Sequence, residues 1–165
     1  MKILGIDPGY GRVGYGVIEQ IKGKDWQAVE FGCLETDMEH AFSDRLKEVH
    51  ETVVNLIKKH SPARVAVEDL FFFKNLKTAI KVSQARGVIL LAAVENNIPV
   101  DEFTPLQVKQ AMTGYGRAEK AQMQKIVAMI LGIKEKITSD DAADALALAL
   151  TSGQSLWMKK IDKVK

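Results

Sequence analysis

Four acidic residues are placed where they could do chemistry together. Asp7 and Glu68 each end a short apolar run. The run Asp141-Ala-Ala-Asp144 spaces two carboxylates three residues apart, which places both on one face of a helix. Burying a bare carboxylate is costly unless a cation or several hydrogen-bond donors meet it. We therefore predict that Asp7, Glu68, Asp141 and Asp144 form one acidic cluster around a cation.

The donor types of this cluster select its metal. Hard carboxylate oxygens without a His or Cys cluster favour Mg²⁺, with Mn²⁺ as a substitute. Two such ions about 4 Å apart support in-line attack on a phosphodiester, one activating water and the other stabilising the leaving oxygen. The ligand types do not decide between one ion and two per subunit.

Three of these acids also have a simple structural explanation when taken alone, whereas Asp144 lies beyond the usual cap positions. Asp7 fits an Asx turn, since Pro8 and Gly9 follow it. Glu68 fits an ion-paired acid at a strand end. Asp140 and Asp141 stand where a helix begins, with Thr138, Ser139 and Asp140 as cap candidates, and free amides there stabilise acids. For Asp140 we favour this structural role.

Composition restricts the class of protein. The chain has 165 residues, 47% of them hydrophobic, which predicts one domain over residues 1–156. The basic segment 157–165 is expected to be a flexible tail. The single cysteine, Cys33, has no internal disulfide partner, and no apolar run suits a signal peptide or a bilayer span. A cytoplasmic protein without membrane contact is expected, and its net charge of +2 does not by itself indicate nucleic acid.

Hydrophobic periodicity predicts the elements that position the acids. Three strands in an antiparallel meander precede a helix–strand–helix–strand sequence and further helices. This order predicts an α/β fold, a five-stranded mixed sheet flanked by helices. The strands are expected at 3–6, 12–20, 26–34, 64–68 and 98–103, and the helices at 44–60, 75–96, 106–112, 119–131 and 141–151.

Three local features carry further expectations. Ser43 is a candidate N-cap for the first helix. Gly14 and Gly16 remove side chains from one face of the second strand, so another element or a ligand can approach closely, and we expect room there for metal and phosphate beside Asp7. The segment 88–94 is apolar on every side of its helix, so one side is expected to face the sheet and another a second subunit.

Several motifs resemble one known family. The chain carries GIDPG at 5–9, VAVED at 65–69, QARGV at 84–88, QVKQ with G-x-G-x-AEK over 107–120, and DAADALALA at 141–149. In this order and over nearly the whole chain they resemble the RuvC family of bacterial Holliday-junction resolvases. GIDPG alone is a weak signal, whereas its combination with the other motifs is specific.

The resemblance implies a ribonuclease-H-like fold, a homodimer, and Mg²⁺-dependent cutting of two opposed strands at a four-way DNA junction. It also implies a partner, the RuvA–RuvB branch-migration complex. The family's four catalytic acids match Asp7, Glu68, Asp141 and Asp144. Some relatives carry histidine at the third of these positions, and many carry glutamine where this chain has Asp69.

The same resemblance suggests DNA contacts. The base-stacking phenylalanine of the family matches Phe71, with Phe72 and Phe73 as alternatives, since three consecutive phenylalanines cannot all be core. Lys109 and Lys120 match the lysines that the family uses near the phosphates. Further basic candidates for phosphate positioning are Lys74, Lys81, Arg86 and Arg117.

Three further classes of protein compete with this interpretation. The segment GIDPGYGRVGYG also resembles the phosphate loop of the actin and sugar-kinase ATPases, but those proteins place two such domains around the nucleotide. A general ribonuclease-H-like nuclease would use the same acids without selecting a junction. A non-catalytic junction-binding module would bind the same DNA without cutting it.

Overall fold

A computed structural model describes residues 1–23, 25–69 and 76–162. Five strands and five helices form in these ranges. They are β1 Lys2–Asp7, β2 Arg12–Lys22, β3 Asp25–Glu35, α1 Phe42–His60, β4 Arg64–Glu68, α2 Leu76–Glu95, β5 Val100–Phe103, α3 Pro105–Thr113, α4 Lys120–Ile130 and α5 Asp140–Asp162.

The strands form one mixed sheet in the order β3-β2-β1-β4-β5. The β1–β2 and β2–β3 pairs are antiparallel, whereas β1–β4 and β4–β5 are parallel. This arrangement confirms the predicted five-stranded mixed sheet. In the β1–β4 register Ile6 pairs with Val67, so Asp7 and Glu68, the last residues of their strands, lie side by side at one end of the sheet.

Alternating residues of the strands supply two apolar cores, one on each face of the sheet. On one face Leu4 and Ile6 pack with Val49 and Val53 of α1 and with the buried side of α2. On the other face Ile3 and neighbouring apolar residues pack against α3, α4 and α5. Burial at about 25 cal/mol per Å² of apolar area makes these layers the main source of stability.

Helix α5 lies directly on the sheet because glycines line the strands beneath it. A Cβ on Gly5 would overlap the backbone oxygen of Ala145, and one on Gly14 would overlap that of Asp141. A Cβ on Gly16 would stand 2.7 Å from Cδ2 of Leu146. The expected close approach of another element over Gly14 and Gly16 is therefore confirmed, whereas the expected room for metal and phosphate is wrong, because the backbone and side chains of α5 fill it.

Two helix boundaries differ from the predictions by more than one residue. Helix α5 does not end near Thr151 but continues to Asp162, and Gly153 inside it accommodates the ring of Trp26. Helix α1 begins at Phe42, with Ala41 as N-cap, so Ser43 is not the cap. The carbonyl of Ala41 accepts the first helical hydrogen bond, from Arg45 N at 3.1 Å. None of the helices described combines the length and apolar content needed to cross a bilayer.

Candidate active site

Three elements bring the predicted acids to one end of the sheet. Asp7 ends β1 and Glu68 ends the parallel neighbour β4. Asp141 and Asp144 lie in the first turns of α5, which the glycines hold against the strands. The carboxyl ends of adjacent parallel strands and the start of one helix therefore meet at one place.

A pocket opens at this meeting point. Carboxylates of Asp7, Glu68 and Asp144 line it together with Lys109 and Lys120. Its apolar wall consists of Pro105, Val108, Met123 and Leu148. The pocket combines acids, two lysines and an apolar wall that limits water around them.

Asp7 is the most perturbed acid of the site. Burial, followed by the negative charges of Glu68 and Asp144, raises the pKa of Asp7 to about 8. Among the described residues no hydrogen bond or ion pair satisfies its carboxylate. Near neutral pH Asp7 therefore favours a bound proton or an added cation.

The neighbouring acids respond to the same two causes. Burial raises the pKa of Glu68, and the charge of Asp144 adds to this effect. Burial also raises the pKa of Asp144, although Lys120 opposes it. Like charges gathered in a partly dry pocket repel each other, so the whole cluster attracts cations.

Lys120 forms ion pairs with two acids at the start of α5. Its Nζ lies 3.4 Å from Asp144 Oδ2 and 3.3 Å from Asp140 Oδ2. Burial lowers the pKa of Lys120, but the carboxylates of Asp144 and Asp140 outweigh it and raise the pKa above its usual value. Lys120 is therefore held in its charged form beside the pocket, where a phosphate can meet it.

Arg12 is a site residue that the sequence did not single out. Its Nε lies 3.0 Å from Asp141 Oδ2 and 3.6 Å from Glu35 Oε1. The thiol of Cys33 also donates to Asp141 Oδ2, at 3.6 Å. The signal that could have identified Arg12 is its place just after the turn that follows Asp7, at the start of the hairpin strand β2.

The donor chemistry of the site fits a hard divalent cation. All four predicted ligands are carboxylates, and burial and mutual repulsion favour a cation among them. Within residues 1–23, 25–69 and 76–162, however, no three His, Cys, Asp or Glu side chains are grouped closely enough to hold a metal ion as they stand. Two of the four acids are engaged by cations of the chain, Asp144 by Lys120 and Asp141 by Arg12.

Asp140 does not act as the cap of α5. Ser139 takes that place, since its Oγ accepts from Ala142 N at 3.3 Å and its carbonyl from Ala143 N at 3.1 Å. The carboxylate of Asp140 instead meets Lys120 and accepts from Gln124 Nε2 at 2.6 Å. Hydrogen bonds from these two residues lower the pKa of Asp140, which distinguishes it from the acids of the pocket.

The other predicted DNA contacts differ in where they lie. Lys109 lines the pocket, and Arg117 is exposed in the loop between α3 and α4. Lys81 lies over the rings of Tyr10 and Phe42, 5.4 Å from each centroid. The guanidinium of Arg86 contacts the carbonyl of Glu68 and the carboxylates of Asp69 and Glu102. The remaining predicted contacts lie outside the described residues: Phe71, Phe72, Phe73 and Lys74.

Comparisons with known proteins bear on this site. The family model described as crossover junction endodeoxyribonuclease RuvC matches residues 3–152. A protein of that name from Petrotoga mobilis is 52% identical over 153 residues, which cover 93% of each chain. One from Halothermothrix orenii is 49% identical over 160 residues, covering 97% of this chain and 96% of its own.

Solved structures agree with the sequence relatives. Thermus thermophilus RuvC in complex with a Holliday junction substrate matches with a TM-score of 0.91 and 35% identity, over 96% of each chain. The yeast mitochondrial Holliday junction resolvase Ydc2 shares the fold, with a TM-score of 0.69 and 15% identity, over 98% of this chain and 80% of its own. The match over nearly the full length confirms both the resemblance and the predicted ribonuclease-H-like fold, and the chain belongs to the RuvC family of crossover junction endodeoxyribonucleases.

Proposed function

We propose that this chain is a structure-selective endonuclease that resolves four-way DNA junctions in recombination and repair by paired, metal-dependent nicking of two opposed strands. The observation that carries the proposal is the convergence of Asp7, Glu68 and Asp144, from two neighbouring strands and a helix, on one pocket that also holds two lysines. Membership of the RuvC family and the junction-bound relative support it. Residues 1–156 are assigned to the nuclease domain and 157–165 to a basic tail.

The proposed metal ligands are Asp7, Glu68, Asp141 and Asp144. Mg²⁺, with Mn²⁺ as a substitute and one or two ions per subunit, fits their oxygen donors. When bound, the metal would supply an activated water and stabilise the oxygen that leaves, so that hydrolysis yields a 5′-phosphate and a 3′-hydroxyl.

The chain's own residues hold the substrate and screen its charge. Lys109 and Lys120 line the pocket and are proposed to bind phosphate oxygens of the strand to be cut. The site limits the water around these contacts, because Val108, Met123 and Leu148 form one of its walls. A phosphate that enters would compete with Asp144 and Asp140 for the ammonium group of Lys120.

More distant DNA contacts are proposed from the sequence. Phe71, with Phe72 and Phe73 as alternatives, would stack on an unpaired base at the junction, and each such stack contributes about 1–3 kcal/mol. Lys74, Lys81 and Arg117 would position phosphates without selecting a base sequence.

A homodimer is proposed from the outer face of α2. Ile80, Leu91 and Val94 are 62%, 49% and 66% exposed, and they lie on the side opposite the buried Ala85, Ile89 and Ala92. Such an apolar stripe on a helix is typical of a contact between subunits. A two-fold enzyme would match the two-fold symmetry of a junction, with one site for each of the two strands.

Two further expectations follow from the family resemblance. The RuvA–RuvB branch-migration complex is the proposed protein partner, and a cytoplasmic location is proposed for the enzyme. Both could be tested in cell extracts by co-purification and fractionation.

One assay separates this function from that of a general nuclease and that of a binding module. The protein is incubated with a mobile four-way junction, with linear duplex and with RNA/DNA hybrid, each in Mg²⁺ and in EDTA. We expect symmetric paired nicks in the junction alone, abolished by EDTA. Equal cutting of all three substrates would identify a general ribonuclease-H-like nuclease, and junction binding without cutting would identify a non-catalytic binding module.

A further inference from the structure

Arg86 was predicted to contact DNA, but its side chain lies against the end of the catalytic strand β4. Its Nε donates to the backbone carbonyl of Glu68 at 3.0 Å. Its Nη2 forms an ion pair with Glu102 on β5 and lies 3.7 Å from Asp69 Oδ1. Only 18% of the side chain is exposed, compared with 54% for Lys120.

These contacts hold the chain where the sheet ladder stops. Glu68 pairs with Phe103 as the last residue of β4, and Asp69 N donates to the carbonyl of Phe103 at 2.8 Å. The neighbouring carbonyl, that of Glu68, accepts its hydrogen bond from Arg86. One guanidinium on α2 therefore holds the Glu68–Asp69 peptide, which directly follows the Cα that carries the Glu68 side chain.

The guanidinium also balances charge beside the site. Asp69 follows Glu68 in the chain and Glu102 stands on the neighbouring strand, so two carboxylates surround the guanidinium that binds the Glu68 carbonyl. Arg86 pairs with both, and its planar group with several donors can bind a carbonyl and two carboxylates at once. A lysine would keep the charge but not this set of directed hydrogen bonds.

We propose that Arg86 is a positioning residue, which orients Glu68 for metal binding by anchoring its main chain and by neutralising Asp69 and Glu102, and that it does not bind DNA. The proposal rests on the proposed function, in which Glu68 is a metal ligand. Partners of this kind behind a ligand typically account for about 10- to 100-fold in metal affinity.

The test compares Arg86→Gln, Arg86→Lys and Glu102→Gln with Arg117→Gln, an exposed arginine that serves as the matched control for a DNA contact. Calorimetry measures Mg²⁺ affinity without DNA, and junction affinity is measured in EDTA over a range of salt concentrations. We expect Arg86→Gln to weaken Mg²⁺ binding roughly 10-fold and to leave junction affinity within about twofold. Arg86→Lys and Glu102→Gln should show smaller losses of the same kind.

The control should behave in the opposite way. Arg117→Gln should leave Mg²⁺ affinity unchanged and reduce the salt dependence of junction binding by about one counterion. If Arg86→Gln instead gave this pattern, or left Mg²⁺ affinity at the wild-type value, the proposal would be overturned.

A second readout does not depend on metal or DNA. Hydrogen exchange of the Asp69 amide reports whether the end of β4 is held in place. We expect exchange at least about tenfold faster in Arg86→Gln while the amides of β1 keep their protection, and an unchanged rate would overturn the proposal. Failure of wild-type protein to cut a junction would count against the proposed function alone, because this readout tests Arg86 directly.

Discussion

Two partly buried carboxylates on this sheet, Asp101 and Asp7, have opposite surroundings. Asp101 on β5 accepts two hydrogen bonds from Arg64, at 2.5 and 2.6 Å, and a third from Ser152 Oγ of α5 at 2.7 Å. Asp7 on β1 lies near the first turns of the same helix, but its neighbours there are Asp144 and Asp141. The first acid is matched by a cation of the chain, whereas burial and like charges raise the pKa of the second to about 8.

The two acids show how a carboxylate that stabilises the fold differs from one that serves a binding site. An ion pair with bidentate geometry ties β4, β5 and α5 together, and removing one partner leaves a buried charge uncompensated. A cluster of acids that repel each other weakens the fold and is tolerated where an external cation or a proton completes it. A buried carboxylate with complete partners therefore indicates structure, and one without them indicates a binding site.

The largest expected effect is on chemistry. Asp7→Asn should reduce the cleavage rate of a four-way junction by at least about 10³-fold, equivalent to about 4 kcal/mol, because a proposed metal ligand loses its charge. Asp144→Asn should act in the same way. Cleavage and junction affinity are measured side by side, with affinity expected to stay within a few fold.

Glu51→Gln is the control for this comparison. Glu51 is exposed on α1, where it pairs with Lys47 at 3.7 Å, and it does not line the pocket. Its cleavage rate should match that of wild type. Normal cutting by Asp7→Asn would remove Asp7 from the proposed ligand set.

The second effect is on stability. Asp101→Asn should lower the free energy of unfolding by about 2–4 kcal/mol, because Arg64 loses its charged partner in a part-buried position. Urea denaturation followed by circular dichroism measures the change. A loss below about 0.5 kcal/mol would mean that the Asp101 pair behaves as an ordinary surface ion pair.

In EDTA, Asp7→Asn should instead raise the free energy of unfolding. The pKa of Asp7 rises from 3.8 to about 8 on folding, so wild type loses stability as the pH rises between these values and the carboxyl must ionise. Asp7→Asn does not titrate and should be more stable by about 1–3 kcal/mol at pH 8, with little difference near pH 4.

Thermal melting across this pH range provides the measurement. Addition of Mg²⁺ should then stabilise wild type more than Asp7→Asn, since ligand binding to the folded state raises its stability. A variant less stable than wild type at pH 8 in EDTA would contradict the interpretation of Asp7 as a strained acid.

The smallest effect concerns Glu30, a carboxylate near the surface with two partners. Hydrogen bonds from Lys59 and His60, at 2.7 Å each, lower the pKa of Glu30 against the opposing effect of burial. The folded state has this stabilisation above pH 4.5 and loses it as the pH falls through the lowered pKa of Glu30. Glu30→Gln should cost about 0.5 kcal/mol at pH 7 and nothing at low pH, as denaturation at the two pH values would detect.

Much of the fold was predictable because its signals are local. Apolar runs that end in acids predicted β1 and β4, and a spacing of three residues predicted that Asp141 and Asp144 share a helix face. Parallel pairing then places the ends of β1 and β4 together. The identity of the four candidate acids needed nothing beyond such patterns and the family resemblance.

Other features depend on the packing of distant segments, which a local pattern does not contain. Arg86 and Arg117 look alike in sequence, and only the positions of β4 and β5 turn the first toward Glu68 and Glu102. Helix α5 continues past Gly153 because Trp26, from a distant part of the chain, packs where a side chain would stand. The start of α1 likewise involves a contact between Phe42 and Tyr10, whose ring centroids are 5.8 Å apart.

The glycine contact beneath α5 has a consequence for how this protein tolerates mutation. A methyl group on Gly5 or Gly14 would lift the helix from the sheet, and Asp141 and Asp144 would move together, away from Asp7 and Glu68. In a library selected for activity, these two positions should be as intolerant as the acids themselves, although neither glycine has a side chain that could touch a substrate. Resistance to an inhibitor of the pocket would therefore rarely arise by displacement of α5, because a substitution at Gly5 or Gly14 that moved the helix would also inactivate the enzyme.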